Sequence, residues 1–338
     1  MQGETLRIGV IGVGGMGARR ARNLATVVSG VHVSAVMDVD KARAEEVGAT
    51  AGGARAFTDA HDLIADGDVD AVVIAAPDRF HAELARACLE VGKPVLCKKP
   101  LATSVKDAVA VIQTEAKLGR RLVQLGLMRE YDPAHAALKQ AIDRGDIGPA
   151  LYIRGTHNNS RLEFSRTAED VIVNSAVHDI HSIRWLSGQD VGRVFAQTVP
   201  ADPARPETCR LLLVQMSMTD GLLATIEVNS ESGYGSEVSV EAVGAEGSAR
   251  TTSLTAPEVR TAGTAARAVE PDWLQRFDTA YVLEAQAWAR SLIDGVPAGP
   301  SAWDGYAAMA VADACIRSVA SGRPEPVELI ERPALYDR

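Results

Sequence analysis

The segment Gly12-Val13-Gly14-Gly15-Met16-Gly17 decides how this chain folds. It follows the apolar run Leu6–Ile11, which is typical of a buried strand, and it precedes a stretch with the pattern of a helix. Glycines at this spacing permit a tight turn, a close approach of the backbone to a pyrophosphate and close packing of the helix on the strand. The free N–H groups at the helix start would face the phosphates. The residues expected at such a dinucleotide are Gly12, Gly14, Gly15, Met16 and Gly17.

An acidic residue stands where a dinucleotide site binds the ribose. Asp38 ends the second predicted strand, 21 residues beyond Gly17, close to the spacing that this site requires. A carboxylate accepts hydrogen bonds from a 2′-hydroxyl and repels a 2′-phosphate, and residue 39 is Val rather than Arg. The sequence therefore predicts NAD rather than NADP. A plainer interpretation remains open here, in which the glycines only form a turn and Asp38 caps the next helix near Asp40.

The bulk composition narrows the class of protein. The chain has 338 residues, 46% of them apolar and 23% charged, which is ordinary for a globular enzyme of about two domains. The formal net charge is −9, and Lys and Arg are scattered along the sequence. A nucleic-acid partner would require a basic stripe, so none is expected.

The cysteines and the N-terminus favour a cytoplasmic protein. None of Cys88, Cys97, Cys209 and Cys315 belongs to a C-x-x-C pair, and such isolated thiols are typical of buried, reduced cysteines. The chain enters a strand without a charged-then-apolar leader, and it has no apolar run of about 18 residues. We therefore expect no membrane partner.

Residues 1–125 alternate between short apolar runs and helical stretches. Strands are expected over residues 6–11, 31–37, 71–75, 94–97 and 122–125, and helices over residues 18–28, 41–47, 80–91 and 105–118. This alternation predicts a doubly wound parallel sheet covered by helices on both faces, forming a first domain.

Residues 126–338 have longer and more polar strands, which predict a second α/β domain. Alternation of apolar and polar residues in the strands at 151–156, 210–218, 222–229 and 237–244 indicates a large, open, mostly antiparallel sheet. Helices are expected over residues 133–144, 176–185, 278–293 and 303–319. Residues 251–271 are expected to form a loop over the site, and the C-terminal helix is one that could pack back on the first domain.

Two sets of motifs resemble a known family, the Gfo/Idh/MocA oxidoreductases. The general family pattern is found in residues 75–81, Ala-Ala-Pro-Asp-Arg-Phe-His, and in residues 90–101, Glu-Val-Gly-Lys-Pro-Val-Leu-Cys-Lys-Lys-Pro-Leu. The inositol 2-dehydrogenase branch is similar over residues 126–133, 147–149, 156–158, 272–277 and 299–306. The resemblance therefore extends over nearly the whole chain.

The resemblance implies a fold, an assembly and a set of site residues. It implies a Rossmann domain followed by an α/β domain, and a homotetramer or dimer packed through the sheets of the second domain. It implies that Lys99 lies near the reacting oxygen and that His178 is the acid/base. The other residues implied at the cofactor are Ala76, Pro77, His81, Lys98 and Lys99. Those implied at the substrate are Lys99, Arg129, His157, Asn158, Asn174, His178, His181 and Tyr234.

Departures from the family pattern concern the substrate end and one cofactor residue. Lys98 stands where the family usually has Glu, which suggests a more positive cofactor end. Asn174 replaces an Asp four residues before His178, and an amide cannot stabilise an imidazolium by charge. His181 replaces an Asp, and Glu130 replaces a basic residue.

A metal site is the alternative that the histidines suggest. His178 and His181 are three residues apart and would share a helix face, with His157 as a third candidate ligand. No carboxylate-rich or cysteine set completes the site, and oxidation of an alcohol by NAD needs no metal, so none is expected.

The leading hypothesis is therefore NAD-dependent oxidation of a ring secondary hydroxyl of a cyclitol or sugar to a ketone. A second hypothesis is a dehydrogenase of aminoglycoside or aminocyclitol antibiotic biosynthesis, motivated by the acidic balance and by Glu130, Glu227 and Glu231. A third is a non-catalytic NAD-binding sensor, and a sugar oxidoreductase or glycosidase that recycles its own NAD is a fourth.

Overall fold

The computed structural model describes residues 5–160, 166–251 and 258–337. These residues form two compact units. The first consists of Met1–Met128, Thr279–Tyr306 and Ile330–Arg338, and the second of Arg129–Asp278 and Ala307–Leu329. The sequence predicts a boundary at residue 125/126, with a C-terminal helix that could pack back on the first domain. The first unit also contains two later segments of the chain, which the packing described below explains.

The first unit is built on a six-stranded parallel sheet in the order β3-β2-β1-β4-β5-β6. The strands are β1 Leu6–Ile11, β2 Val31–Met37, β3 Arg55–Phe57, β4 Ala71–Ile74, β5 Val95–Lys98 and β6 Val123–Gly126. The helices between them are α1 Gly15–Thr26, α2 Lys41–Thr50, α3 Ala60–Ala65, α4 His81–Glu90 and α5 Val105–Leu118. This is the Rossmann order, in which strand order reverses beside β1 and opens a crevice at the carboxyl ends of β1 and β4.

Later parts of the chain complete the first unit through buried contacts. Trp288 belongs to a long helix further along the chain, and it packs into the same apolar core as Leu24 of α1. Arg20 of α1 forms a buried ion pair with Glu284 of that helix at 2.8 Å. Near the C-terminus, the hydroxyl of Tyr336 donates to Glu115 of α5. Apolar packing and buried charge pairing together hold residues 279–306 and 330–338 in this unit.

The second unit contains a seven-stranded mixed sheet in the order β12-β11-β7-β10-β9-β8-β15. Only β7 and β10 run parallel, and the other pairs are antiparallel. The strands are β7 Ala150–Ser160, β8 Val191–Val199, β9 Leu211–Met218, β10 Leu223–Ser232, β11 Glu237–Gly244, β12 Ser248–Arg250 and β15 Glu325–Pro326. A separate hairpin consists of β13 Glu258–Thr261 and β14 Thr264–Arg267.

Helices cover one face of this sheet, and the other face is open. They are α6 Pro133–Asp143, α7 Ala168–Val171 and α8 Val177–Ser187, with a π-helical turn at Ile172–Ala176, and the later part of α11 Ala302–Ser321. The chain also forms α9 Trp273–Arg276 and α10 Asp278–Asp294, and α10 contains Glu284 and Trp288 of the first unit. Ile153 of β7, Ile226 of β10 and Val240 of β11 pack with Ile180 of α8 in the core. Strict alternation of buried residues with partly or fully exposed ones along β9 and β10 confirms a sheet with one buried face.

The fold class expected from the sequence is confirmed, and the differences lie in the shorter or less patterned elements. The sequence missed β3, α3 and β8, because the first two are very short and β8 interrupts its apolar pattern with Gly192 and Arg193. The expected loop at 251–271 contains the β13–β14 hairpin, and residues 252–257 lie outside the described part of the chain. None of the described helices is long and apolar enough to span a bilayer.

Candidate active site

A cavity of about 690 Å³ lies in the first unit, at the carboxyl ends of β1, β2 and β4. The residues lining it that the sequence singled out are Gly12, Gly14, Gly15, Met16, Asp38, Ala76, Pro77 and Lys98. A parallel sheet of this topology binds its ligand at this edge, because helix N-termini and loops converge there. The cavity therefore lies where the glycine segment predicts a dinucleotide.

The glycines of this segment are required for different structural reasons. Gly12 has φ of +81°, and a Cβ there would lie 2.6 Å from the backbone of Ala76. A Cβ at Gly17 would lie 1.8 Å from the carbonyl oxygen of Gly12, so Gly17 allows α1 to pack on the turn. Gly14 and Gly15 have no atom within 4 Å of such a Cβ. They leave an open cradle at the N-terminus of α1, which fits a pyrophosphate.

Asp38 is held as a hydrogen-bond acceptor at the end of β2. Its carboxylate accepts the N–H of Val13 at 3.1 Å and the N–H of Asp40 at 3.0 Å. Arg43 of α2, which also lines the cavity, donates to it at 3.2 Å. Asp40, rather than Asp38, caps α2. The plainer interpretation of Asp38 as a helix cap is therefore wrong.

The lysines after β5 and the histidine of α4 differ in what they contact. Lys98 lines the cavity and pairs with Asp78 at 3.2 Å, so its charge is compensated, contrary to the more positive cofactor end expected from the sequence. Lys99 is partly buried directly after β5. His81, expected to bind the cofactor, is fully buried, and its two ring nitrogens lie 2.6 Å from the Pro100 carbonyl oxygen and 2.8 Å from that of Ala76. It joins two loops beside the cavity without lining it, and burial lowers its pKa.

A buried polar cluster lies between β7 and α8 in the second unit. Arg129 donates to Asp179 at 2.5 Å, and Nδ1 of His157 lies 2.7 Å from the same carboxylate. All three side chains are nearly inaccessible to solvent. Burial alone raises the pKa of Asp179, but the charge of Arg129 and the hydrogen bonds from His157 and Arg129 outweigh it and hold the pKa at about 2. The sequence singled out Arg129 and His157 but missed Asp179, although a carboxylate beside His178 was a usable signal.

Two further carboxylates, Glu130 and Asp132, are engaged by nearby side chains of the second unit. His181, one turn beyond His178 on α8, is buried and pairs with Glu130 at 3.0 Å. Asp132 accepts from His135 at 2.6 Å and from Arg276 at 2.7 Å. Burial alone would raise the pKa of Asp132, but these two partners hold it well below its usual range. Glu130 is therefore already engaged by the ring of His181.

The substrate residues expected from the sequence lie on two faces of the sheet. In the register of β7 with its neighbours, His157 is opposite Val228 and Val238, whose side chains are in the buried face. Asn158, the next residue, faces the other way and donates to the hydroxyl of Tyr234 at 2.7 Å. Asn158 and Tyr234 therefore do not join His157 within one unit, contrary to expectation.

Asn159 is the residue that the alternation of β7 places on the same face as His157. Its amide donates to Ser175 of the π-helical turn at 3.2 Å. Asn174 of that turn is exposed, and His178 at the start of α8 is partly exposed. A π-helical turn shifts the register of the following helix and is frequent at functional sites. The sequence missed Asn159, because a run of two asparagines does not reveal which one faces inward.

The histidines do not assemble a metal site. His157 and His181 use ring nitrogens toward Asp179 and Glu130. Over residues 5–160, 166–251 and 258–337, no group of three or more His, Cys, Asp or Glu side chains is arranged to hold a metal ion.

Comparison with known proteins defines the class of both units. The model of the Gfo/Idh/MocA oxidoreductase family with an NAD-binding Rossmann fold matches residues 6–127, and the model of its C-terminal α/β domain matches residues 139–329. The chain is 45% identical over 337 residues to inositol 2-dehydrogenase of Rubrobacter xylanophilus, covering 99% of this chain and 97% of that protein.

Two solved structures resemble the chain over almost its full length. The myo-inositol dehydrogenase of Lactobacillus casei in complex with NAD(H) and myo-inositol has a TM-score of 0.94 at 28% identity, covering 98% of this chain and all of that one. The scyllo-inositol dehydrogenase of the same organism with bound NAD(H) and scyllo-inositol has a TM-score of 0.89 at 25% identity, covering 96% and 99%.

The Rossmann unit, the open glycine cradle and Asp38 define an NAD-dependent oxidoreductase. Within that class, the chain belongs to the Gfo/Idh/MocA oxidoreductase family.

Proposed function

We propose that this enzyme oxidises a ring secondary hydroxyl of a cyclitol, of the inositol class, to a ketone. The observation that carries the proposal is the buried Arg129–Asp179–His157 cluster, which holds His157 through Nδ1 and leaves its Nε2 for a hydroxyl of a polyol. An unmatched polar group at such a site costs about 1–3 kcal/mol, so a substrate rich in hydroxyls suits it better than an apolar one. The inositol dehydrogenases among its relatives support the same substrate class.

The proposed chemistry assigns one task to each of two side chains. NAD⁺ held at the glycine cradle and Asp38 would supply the acceptor for the hydride of the carbinol carbon. His178 takes the hydroxyl proton as the C–O bond becomes a carbonyl, a role suited to a side chain whose ordinary pKa is near neutrality. Lys99 stabilises the negative charge that develops on the oxygen by donating a charge-assisted hydrogen bond. In the reverse direction, protonated His178 returns the proton.

The test is the appearance of NADH absorbance with myo-inositol and scyllo-inositol as substrates. We expect turnover of at least one of them, and a fall in kcat of about 10²–10⁴ for His178→Ala, the usual loss for an acid/base group. Lys99→Ala should lose turnover while binding NADH normally. A wild-type protein that binds NADH but oxidises no cyclitol would instead favour the sensor hypothesis, and an unchanged kcat in His178→Ala would remove that residue from the role.

The aminoglycoside hypothesis loses two of the three glutamates that motivated it. Glu130 is paired with His181. Glu227 is opposite Thr156 and Leu213 in the sheet, on the face that His157 does not occupy. An ammonium group on the substrate would therefore find neither carboxylate available beside His157, and the neutral cyclitol is the better candidate.

We also propose a homo-oligomer that packs through the open face of the seven-stranded sheet. The strand register places Val243, Tyr152 and Leu223 side by side there, and Leu223 is 56% exposed. Phe195 and Leu213 lie on the same face in β8 and β9. Exposed apolar side chains on an open sheet face support a subunit interface there. Light scattering should give a dimer or tetramer, and Leu223→Glu should lower the mass; a monomeric wild type contradicts the proposal.

A cytoplasmic location is proposed on the state of the cysteines. All four are buried and none forms a disulfide. Burial raises the pKa of the Cys88 thiol to about 12, which keeps it protonated and unreactive, as expected for structural thiols in a reducing compartment. A reporter fusion followed by cell fractionation tests the location, and recovery outside the cytoplasm contradicts it.

A further inference from the structure

The contact between Asp179 and His157 raises the question of which ring nitrogen carries the proton. Nδ1 of His157 is 2.7 Å from Oδ2 of Asp179 and 3.1 Å from Nη2 of Arg129. These two contacts require different protonation states of Nδ1. A carboxylate requires N–H at Nδ1, whereas a guanidinium, which can only donate, requires a lone pair there.

The carboxylate of Asp179 determines which ring nitrogen of His157 carries the proton. Asp179 is fully buried beside Arg129, and its pKa of about 2 keeps it ionised, so that it can only accept. Its contact with Nδ1 is the shorter of the two, and hydrogen bonds to ionised groups are both shorter and stronger than neutral ones. Arg129 already donates to Oδ1 of the same carboxylate at 2.5 Å and has Oδ2 within 3.5 Å, so it does not need the imidazole. The proton therefore belongs on Nδ1.

A neutral imidazole protonated on Nδ1 has its lone pair on Nε2. That atom has no hydrogen-bond partner among the described residues and is not sealed from solvent, although the ring as a whole is only 5% exposed. We infer that Asp179 is a positioning residue that fixes the Nδ1–H tautomer of His157 and thereby makes Nε2 an acceptor for a hydroxyl of the substrate. A polyol approaching that nitrogen must then donate its hydroxyl proton into a hydrogen bond.

The neighbouring arginine makes the inference testable by an isosteric change. In Asp179→Asn, Arg129 still needs an acceptor and holds the amide oxygen at the place of Oδ1. The amide NH₂ then takes the place of Oδ2 and donates to Nδ1 of His157. The proton must move to Nε2, which changes from an acceptor into a donor while the geometry is retained. An Asp-to-Asn change beside a histidine is known to act through the tautomer in this way.

The direct test reads the tautomer by ¹⁵N NMR of protein labelled at its seven histidines, with the His157 signals assigned by their loss in His157→Gln. We expect Nδ1–H in the wild type and Nε2–H in Asp179→Asn. A wild-type ring protonated on Nε2 overturns the inference, and that result needs no folded Asp179 variant. A folded Asp179→Asn protein with an unchanged tautomer overturns it as well.

The kinetic test rests on the proposed cyclitol oxidation and separates positioning from a general loss of structure. Asp179→Asn should lower kcat/KM for the cyclitol by about 10- to 100-fold and leave the Kd for NADH within about twofold. The matched control is Asp190→Asn, which removes the carboxylate partner of another buried arginine of α8, Arg184. The control should change kcat/KM by less than about threefold. Equal losses in both variants contradict positioning, whereas a wild type inactive on every cyclitol refutes the proposed function and leaves the tautomer result standing.

Discussion

An alanine at position 17 would place its Cβ 1.8 Å from the carbonyl oxygen of Gly12 and 2.8 Å from the carbonyl carbon. Contacts below 3.0 Å require something to move, and here the obstacle is backbone, so α1 or the turn must shift by about 1 Å. Overpacking that side chains can absorb costs about 1–3 kcal/mol. A clash with backbone should cost an energy at the upper end of this range. We therefore expect Gly17→Ala to lower the free energy of unfolding by about 3 kcal/mol, or Tm by roughly 6–12 °C.

Gly14→Ala is the matched control, because the same methyl group meets no atom within 4 Å. Gly14 has φ of −65° and ψ of −167°, which alanine also adopts. Alanine is a poorer N-cap than glycine by up to about 1 kcal/mol, and its less flexible unfolded chain offsets about 0.4–1 kcal/mol of this. Stability should therefore change little. The methyl group occupies the cradle, however, and should weaken NADH binding at least tenfold, which is about 1.4 kcal/mol.

Two measurements on both variants separate the loss of packing from the loss of cofactor binding. They are thermal or urea unfolding of the free protein and fluorescence titration with NADH. The expected pattern is a crossed one, in which Gly17→Ala loses mainly stability and Gly14→Ala loses mainly affinity. A Gly17→Ala protein as stable as the wild type would refute the packing argument. NADH binding of undiminished strength in Gly14→Ala would show that the pyrophosphate does not lie at this helix N-terminus.

Three further outcomes are expected. Asp38→Ser should reduce the preference for NADH over NADPH at least tenfold, because it removes the charge that repels a 2′-phosphate and releases Arg43 in the same cavity. The Kd values for NADH and NADPH measure this preference. Asp38→Ser/Arg43→Ala should bind NADPH less well than Asp38→Ser does. Arg20→Met should lower the free energy of unfolding by about 3–5 kcal/mol, because it removes the buried guanidinium that pairs with Glu284. Arg20→Met/Glu284→Leu should recover most of this loss in urea titrations. Because the pKa of Asp179 is lowered from 3.8 to about 2, its ionisation stabilises the fold above pH 4. About 2 kcal/mol of the free energy of unfolding should be lost as the pH falls from 5 toward 2. A destabilisation by Asp179→Asn that is as large at pH 2 as at pH 5 would contradict this.

Local chemistry explains why the cofactor half was predictable. The glycine segment lies within six consecutive residues, and Asp38 follows at a spacing set by one helix and one strand. Backbone conformation and helix termini act over such short distances, so a sequence pattern fixes them directly. The strands and helices with strong apolar periodicity, such as β1 and α5, were predictable for the same reason.

The substrate half depends on partners far apart in the chain. Asp179 joins Arg129 across 50 residues, and Glu130 joins His181 across 51. Spacing along the sequence carries no information about such pairs. The resemblance to a family suggested which residues take part, but it did not reveal that Glu130 is engaged by His181 or that Asn158 faces away from His157.

By itself, the sequence determined that this chain has a Rossmann unit, that it uses NAD and that a second sheet-based unit follows. Only the tertiary structure decided which side of β7 each residue occupies and which carboxylate fixes which histidine. The physical reason is that a strand turns alternate residues to opposite faces, so a one-residue difference changes the partner completely. A buried charge likewise acquires its state from whatever residue the fold brings beside it.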